Sequence, residues 1–241
     1  MRHKFGITLF TMAKNKDKRE QDSFSDVENA LTKTEQIIEE NQKTLTIVVS
    51  VVVLIVAGYL AYTKLYLQPK EKDAQGQMFM AEQYFQKDSF NLALNGDGNY
   101  LGFLDIIDDY GHTKAGNLAN YYTGISYLRL GQYEDAISYL NNFDTDDMLL
   151  LPVAEGAKGD AYAELGENDK ALSSYKKAYE ASANDFTTPV YMMKAADLME
   201  SSGDLSGALK LYQTIKEKYP TTNEGRNADK YIARVEVKLK K

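Results

Sequence analysis

His112 is the first candidate for chemistry, because it follows Asp108-Asp109-Tyr110-Gly111 and an imidazole beside carboxylates can carry a proton near neutral pH. No nucleophile accompanies it in a recognisable motif, so the plainer reading is a solvated histidine on a turn. The run Asn95-Gly96-Asp97-Gly98-Asn99 puts oxygen-bearing side chains at alternate positions, a spacing that suits a hard cation such as calcium. It lacks the twelve-residue loop and its closing bidentate glutamate, and reads instead as a glycine turn or a ligand-gating loop. The rest of the inventory is thin. The 241 residues include no cysteine and only two histidines, His3 and His112, which excludes disulfide scaffolds, thiolate metal sites and thiol nucleophiles. There is no phosphate-binding loop, no dinucleotide fingerprint, no nucleophile elbow and no zincin helix. The sequence therefore predicts no enzyme, no metal and no cofactor.

Charge narrows the partners further. Acidic residues outnumber basic ones 35 to 28, for a net charge of -7. Residues 64–241 carry 27 acidic and 20 basic side chains, so they hold the whole imbalance and lack the basic footprint that nucleic acid requires. What remains is protein surface and membrane.

Three segments must position that surface. Residues 1–43 form a charged tail with eight basic and eight acidic side chains. Its start, residues 2–13, resembles a short signal peptide without a cleavage site, and Met12 is an alternative natural start. From Ser23 the tail turns helical, with Ser25 and Glu28 spaced as a capping box and Val27, Leu31 and Ile38 on one stripe. Residues 44–63 then run for 20 positions without a charge, enough at about 1.5 Å per residue to cross the roughly 30 Å hydrocarbon core of a bilayer. We read 44–66 as a transmembrane helix, with Tyr59, Tyr62 and Tyr66 marking one interface. Lys33 and Lys43 against Lys64, Lys70 and Lys72 leave the local orientation undecided; the eight cations of the tail favour a cytoplasmic N-terminus. The opposite topology is the alternative.

After Pro69 the chain repeats. Glycine or aspartate followed five residues later by alanine recurs at 88–93, 131–136, 166–171 and 203–208, with spacings of 43, 35 and 37 residues. Gly124 and Tyr127 precede Gly131, Gly159 and Tyr162 precede Gly166, and Ala195, Ala196 and Met199 precede Gly203; Leu140, Tyr175 and Tyr212 follow the alanines. Small residues at Gly124, Gly159 and Ala196, and at Ala136, Ala171 and Ala208, let paired helices approach closely. Gly131, Gly166 and Gly203 end the first helix of each pair in the left-handed conformation, and Tyr127, Tyr162 and Met199 are expected to fill the space between hairpins. The predicted fold is all-α: a transmembrane helix and a helical-hairpin solenoid over 67–241, with repeats at about 74–116, 117–151, 152–188 and 189–222 and a polar-backed capping helix at 223–239 whose inner face is Ala228, Ile232, Val235 and Leu239. The first copy departs most, with about 9 extra residues and Asn95–Asn99 where helix should continue.

On these residues the sequence resembles the tetratricopeptide repeat family, whose unit of about 34 residues has the same glycine, tyrosine, alanine and late proline, here Pro220. Its tryptophan position is held by Asn120, Glu155 and Met192. The resemblance implies a right-handed solenoid in which the first helices line a concave groove that receives other polypeptides. Candidate groove residues are then Tyr121, Ile125, Leu128, Arg129, Asp160, Glu164, Met193, Asp197 and Glu200. The plainer alternatives are packing of Tyr121, Ile125 and Leu128 against the irregular first repeat, and a solvated acidic face for Asp160, Glu164, Asp197 and Glu200. The layout of tail, span and short array resembles the YfgM-type ancillary proteins of the bacterial Sec translocon. That resemblance implies anchoring in the inner membrane with periplasmic repeats, translocon subunits and periplasmic folding factors as partners, and a chaperone-like adaptor role. A structural scaffold for an envelope or cell-division complex, and a cytosol-facing docking platform, are the alternatives.

Overall fold

The computed structural model describes residues 39–240, so the capping box at Ser25 and Glu28 and the stripe of Val27, Leu31 and Ile38 lie outside the described residues. The chain divides into two units, one ending at Lys64 and the other starting at Leu65. The first contains α1, Gln42–Ala61, none of whose side chains is buried. It is long and apolar enough to cross a membrane. A six-residue π-helical stretch, Tyr62–Leu67, follows it.

The second unit is helical, and no strand occurs among the described residues. Its elements are α2 (Gln68–Gln86), α3 (Phe90–Asn95), α4 (Phe103–Tyr110), α5 (Lys114–Arg129), α6 (Tyr133–Asn142), α7 (Leu150–Glu164), α8 (Asn168–Ala181), α9 (Thr188–Ser201), α10 (Leu205–Lys218) and α11 (Asn223–Leu239). They pair as hairpins: α2 with α3 and α4, α5 with α6, α7 with α8, and α9 with α10.

One turn is built four times. Gly131, Gly166 and Gly203 have φ of +76°, +75° and +92°, and Asp88 takes the same left-handed place in the first hairpin at +55°. In each turn the next amide reaches back five residues: Ser89 to the Tyr84 carbonyl, Gln132 to Tyr127, Glu167 to Tyr162 and Asp204 to Met199, all at 2.9 Å. This is the Schellman closure, which satisfies carbonyls the helix end leaves open. It explains why the residue four before each left-handed position recurs in the sequence. Tyr127, expected between hairpins, in fact stacks on Tyr139 of its own hairpin at 5.4 Å.

Close approach between paired helices follows from the small residues. A Cβ added to Gly124 would lie 2.5 Å from Leu140 Cγ, and one added to Gly159 would lie 2.5 Å from the Tyr175 ring. Ala136, Ala171, Ala196 and Ala208 are fully buried at the equivalent contacts. The core then runs from hairpin to hairpin as linked clusters, since no hairpin covers its own apolar face.

The first repeat is where sequence and fold part. Its second helix is broken into α3 and α4 by residues 96–102, with Gly96 and Gly98 at φ +73° and +88°. Asp97 accepts the Tyr84 hydroxyl at 2.8 Å and the amides of Asn99 and Tyr100 at 2.9 Å, so its carboxylate closes the loop. The Tyr84 hydrogen bond and those two amides hold that carboxyl below the usual carboxylate range. Past the loop, Phe103 of α4 stacks on Tyr122 of α5 at 5.0 Å, and Phe85 closes on Tyr122 edge-on at 5.0 Å. Aromatic packing thus replaces the missing half-helix.

Hydrogen bonds also register the helix N-termini. Glu71 of α2 accepts the Lys114 and Ala115 amides of α5 at 2.7 and 3.3 Å. Asn117 of α5 exchanges two bonds with the Asp144 backbone, at 2.7 and 2.9 Å, in the connection before α7. On α11, Ala228 and Val235 are buried, whereas Leu239, expected on the same inner face, is 46% exposed because the last turn overhangs the stack.

Thr123 of α5 is fully buried, and its hydroxyl has no hydrogen-bond partner among the described residues. An unpaired buried hydroxyl costs free energy, so Thr123→Val is expected to raise stability by about 1 kcal/mol in denaturant unfolding. A lower midpoint would show that the hydroxyl is satisfied after all.

Candidate functional site

The N-termini registered by Glu71 and Asn117 set the first helices side by side, and their shared face forms an open cleft of ≈ 830 Å³. Tyr121, Ile125, Leu128 and Arg129 come from α5, Val153, Ala157, Asp160, Ala163 and Glu164 from α7, and Tyr191 and Lys194 from α9; Phe85, Tyr133 and Tyr175 complete the wall. Helical spacing of three and four residues is what puts each set on one face. Of the nine residues expected at a groove, six line this cleft: Tyr121, Ile125, Leu128, Arg129, Asp160 and Glu164.

Its two ends differ chemically. The apolar end is Phe85, Tyr121, Ile125, Leu128 and Val153. Tyr121, Ile125 and Leu128 pack on Leu140 of their own hairpin and on Ala154 and Ala157 of the following one, and it is Tyr122 that meets the first repeat. Toward α9 the cleft is polar but internally paired. Asp160 accepts Lys194 Nζ at 2.6 and 2.7 Å and the Tyr175 hydroxyl at 2.8 Å. Lys194 lies 6.0 Å from the Tyr175 ring centre and 5.8 Å from that of Tyr191, within cation–π reach. Burial, and then the neighbouring Asp160 charge, push both tyrosine hydroxyls well above their ordinary value. Both rings therefore stay neutral. Glu164, at the exposed rim, receives only a long bond of 3.4 Å from Tyr133.

Met193, Asp197 and Glu200 do not line the cleft. Met193 packs with α10 and α11. Glu200 is 8% exposed and accepts Arg234 at 2.5 Å, Lys238 at 2.8 Å and the Tyr212 hydroxyl at 3.1 Å, while Asp197 accepts Tyr212 at 2.6 Å and Arg234 at 3.5 Å. This network fastens the capping helix. Glu200 is thus a buried, paired carboxylate, while Asp160 and the half-exposed Asp197 are paired and still reach solvent; the partners Lys194, Arg234 and Lys238 lie 34 to 38 residues away, a separation that helical periodicity does not reveal. Tyr191 and Lys194 were missed for the same reason, although Gly156 carried a signal: a Cβ there would sit within the Tyr191 ring. His112 is exposed on the turn between α4 and α5, and the described residues contain no cluster of three metal-ligating side chains.

The tetratricopeptide repeat model matches residues 118–145 and 191–222, covering most of the α5–α6 and α9–α10 hairpins and the start of the connection after each. The intervening hairpin folds alike without a match. No curated protein sequence matches the chain. Among solved structures, a point variant of a Podosopora anserina kinesin light chain with nearly identical tetratricopeptide-like repeats is similar at a TM-score of 0.54 and 12% identity, over 68% of this chain and 85% of that one. The form of that protein without the substitution superposes equally well, over 86% of its length. The second unit is a tetratricopeptide-like solenoid. Protein partners are what these repeats indicate.

Two outcomes test the arrangement. Gly156→Ala forces the Tyr191 ring from its place over α7 and is expected to cost about 1–3 kcal/mol in thermal unfolding. Burial alone would raise the Glu200 carboxyl, but hydrogen bonds from Arg234, Lys238 and Tyr212 outweigh it and leave it below 4.5. Its contribution is then complete above pH 4.5 and fades as pH falls through the lower folded-state value. Wild type should lose stability on acidification through that window, and Glu200→Gln, weaker by about 1–3 kcal/mol at neutral pH, should lose less. Parallel pH curves for the two would refute the assignment.

Proposed function

We propose that the protein is a membrane-anchored adaptor that receives segments of other polypeptides in the α5–α7–α9 cleft. The observation that carries the reading is the cleft itself: parallel first helices of successive hairpins expose an apolar wall beside a polar floor whose charges already pair with one another. An incoming segment can bury apolar side chains against Tyr121, Ile125 and Leu128 without stranding a buried charge. Arg129 and Glu164 stand at the exposed rim, where they bias approach more than they hold.

Helix α1 supports the anchor, being long and apolar enough to span a bilayer. With the eight cations of the tail on the cytoplasmic side, the repeats lie across a bacterial inner membrane, in the periplasm, beside the translocon. Tethering there raises the effective concentration of the cleft near emerging chains, so weak contacts suffice for a chaperone-like role. The chemistry needs no cofactor.

A photo-crosslinking residue at Leu128, in full-length protein in its native membrane, is expected to capture polypeptides that the same residue at Gln132, on a hairpin turn, does not. Ile125→Glu should reduce capture by the Leu128 probe several-fold. Equal capture from both probes would sink the cleft reading, and capture of a single folded partner with no secreted chains would favour a structural scaffold. Labelling of Thr221→Cys from outside intact inner-membrane vesicles of cytoplasm-out orientation would reverse the topology.

A further inference from the structure

Phe85 and Tyr121, at the apolar end of the cleft, each stand one helical turn from a second hollow of ≈ 300 Å³ between α2 and α5. Glu82 and Met78 line it from α2, three and seven residues before Phe85. Leu118 and Lys114 line it from α5, three and seven residues before Tyr121. Spacings of three and seven keep each set on one face of its helix, so the hollow prolongs the cleft along α2 and α5.

The carboxylates along this track differ in what they already hold. Asp160 is paired with Lys194, and Glu164 stands exposed at the rim. Glu71, in the first turn of α2, has both oxygens taken: Oε2 accepts the Lys114 and Ala115 amides, and Oε1 accepts Gln75 Nε2 at 2.7 Å. Glu82 is half-buried, and no hydrogen bond or ion pair reaches its carboxylate from the described residues. Burial alone raises that carboxyl above its ordinary value. Its charge is felt by the neighbouring aromatic cluster: burial first, and then Glu82, push up the hydroxyl of Tyr122, the ring on which Phe85 closes edge-on.

A carboxylate held partly out of water without a partner costs free energy, and a cation brought to it recovers that cost. The walls beside Glu82 say what kind of cation fits. Met78 and Leu118 are apolar, and one turn further the track opens onto Phe85, Tyr121 and Ile125. Lysine and arginine carry their charge on an apolar stem, which lies along such walls while the head reaches the carboxylate. We propose that the cleft selects polypeptide segments in which apolar side chains are accompanied by one lysine or arginine, and that Glu82 receives that cation. The inference rests on the cleft being the polypeptide site and adds which segments it takes. Exposed Lys114 at the Glu71 end and exposed Arg129 in the cleft oppose further positive charge, so a single basic residue is read rather than a basic run.

The test is a selection of short random peptides, displayed on phage, against the full-length protein in phosphatidylcholine nanodiscs. On wild type the recovered peptides should be enriched several-fold in Lys and Arg beside Leu, Ile, Val or aromatic residues, relative to the unselected library. On Glu82→Gln the basic enrichment should vanish while the apolar enrichment stays, and on Glu82→Lys it should give way to Asp and Glu. A recovered peptide and its Lys-to-Gln counterpart, compared by fluorescence anisotropy, should differ about fivefold in affinity for wild type and not at all for Glu82→Gln. Glu82→Gln keeps the size of a side chain that holds nothing, so its thermal midpoint should match or exceed that of wild type; a lower one would show that Glu82 already has a partner and overturn the inference. Apolar enrichment alone on wild type, or basic enrichment that persists on Glu82→Gln, overturns the role of Glu82 and leaves the cleft standing. Recovery of no peptides above the library, or of peptides that bind Ile125→Glu as tightly as wild type, removes the cleft reading and the inference with it.

Discussion

The distance between paired helices governs the rest of the structure. Side chains no larger than a methyl at Gly124, Gly159 and Ala196, facing Ala136, Ala171 and Ala208, let each hairpin close until backbone and ring atoms touch. The left-handed turn and its five-residue amide closure fix the entry of the second helix at the same height each time. Repetition of one geometry then gives the first helices of successive hairpins a common face. The cleft is that face.

A second constraint acts on the charges. Two groups of acidic residues on the stack are met from another helix: Asp160 by Lys194 and the Tyr175 hydroxyl, Glu200 and Asp197 by Arg234, Lys238 and Tyr212. The first arrangement crosses from α7 to α9 and leaves the cleft floor polar without exposed unpaired charge. The other fastens α11 over the end of an array that would otherwise present a bare apolar surface, the role a terminal cap must fill in a stack whose repeats touch only their neighbours. Both carry hydrogen bonds on the charged groups, which makes them far more sensitive to losing one partner than to losing both.

The first hairpin shows how far the shared geometry tolerates damage. Asp88 adopts the left-handed turn without glycine, and the loop at 96–102 interrupts the second helix, yet the Tyr84 carbonyl still accepts the returning amide. Phe85, Phe103 and Tyr122 fill the space with aromatic rings that a regular helix would have filled with aliphatic turns. Asp97, in a run whose spacing alone would suit a hard cation but which reads as a glycine turn, is occupied by Tyr84 and two amides of its own loop. A loop aspartate with neighbouring glycines satisfies its carboxylate locally before it needs an ion.

By itself the sequence determined what is local and repeated. The apolar run at 44–63, the left-handed glycines, the small contact residues and the period near 35 all follow from constraints that act within a few residues or one hairpin, and they specified helical hairpins and the side of α5 and α7 that faces outward together. Only the tertiary structure decided which acidic residues are free and which are paired, that Met193, Asp197 and Glu200 turn toward the capping helix, and that Tyr175, Tyr191 and Lys194 enter the cleft. Those outcomes depend on contacts between residues 15 to 38 positions apart, made after the hairpins stack. Periodicity places a side chain on a face of its helix, but the neighbour that meets that face is chosen by the packing of the next repeat.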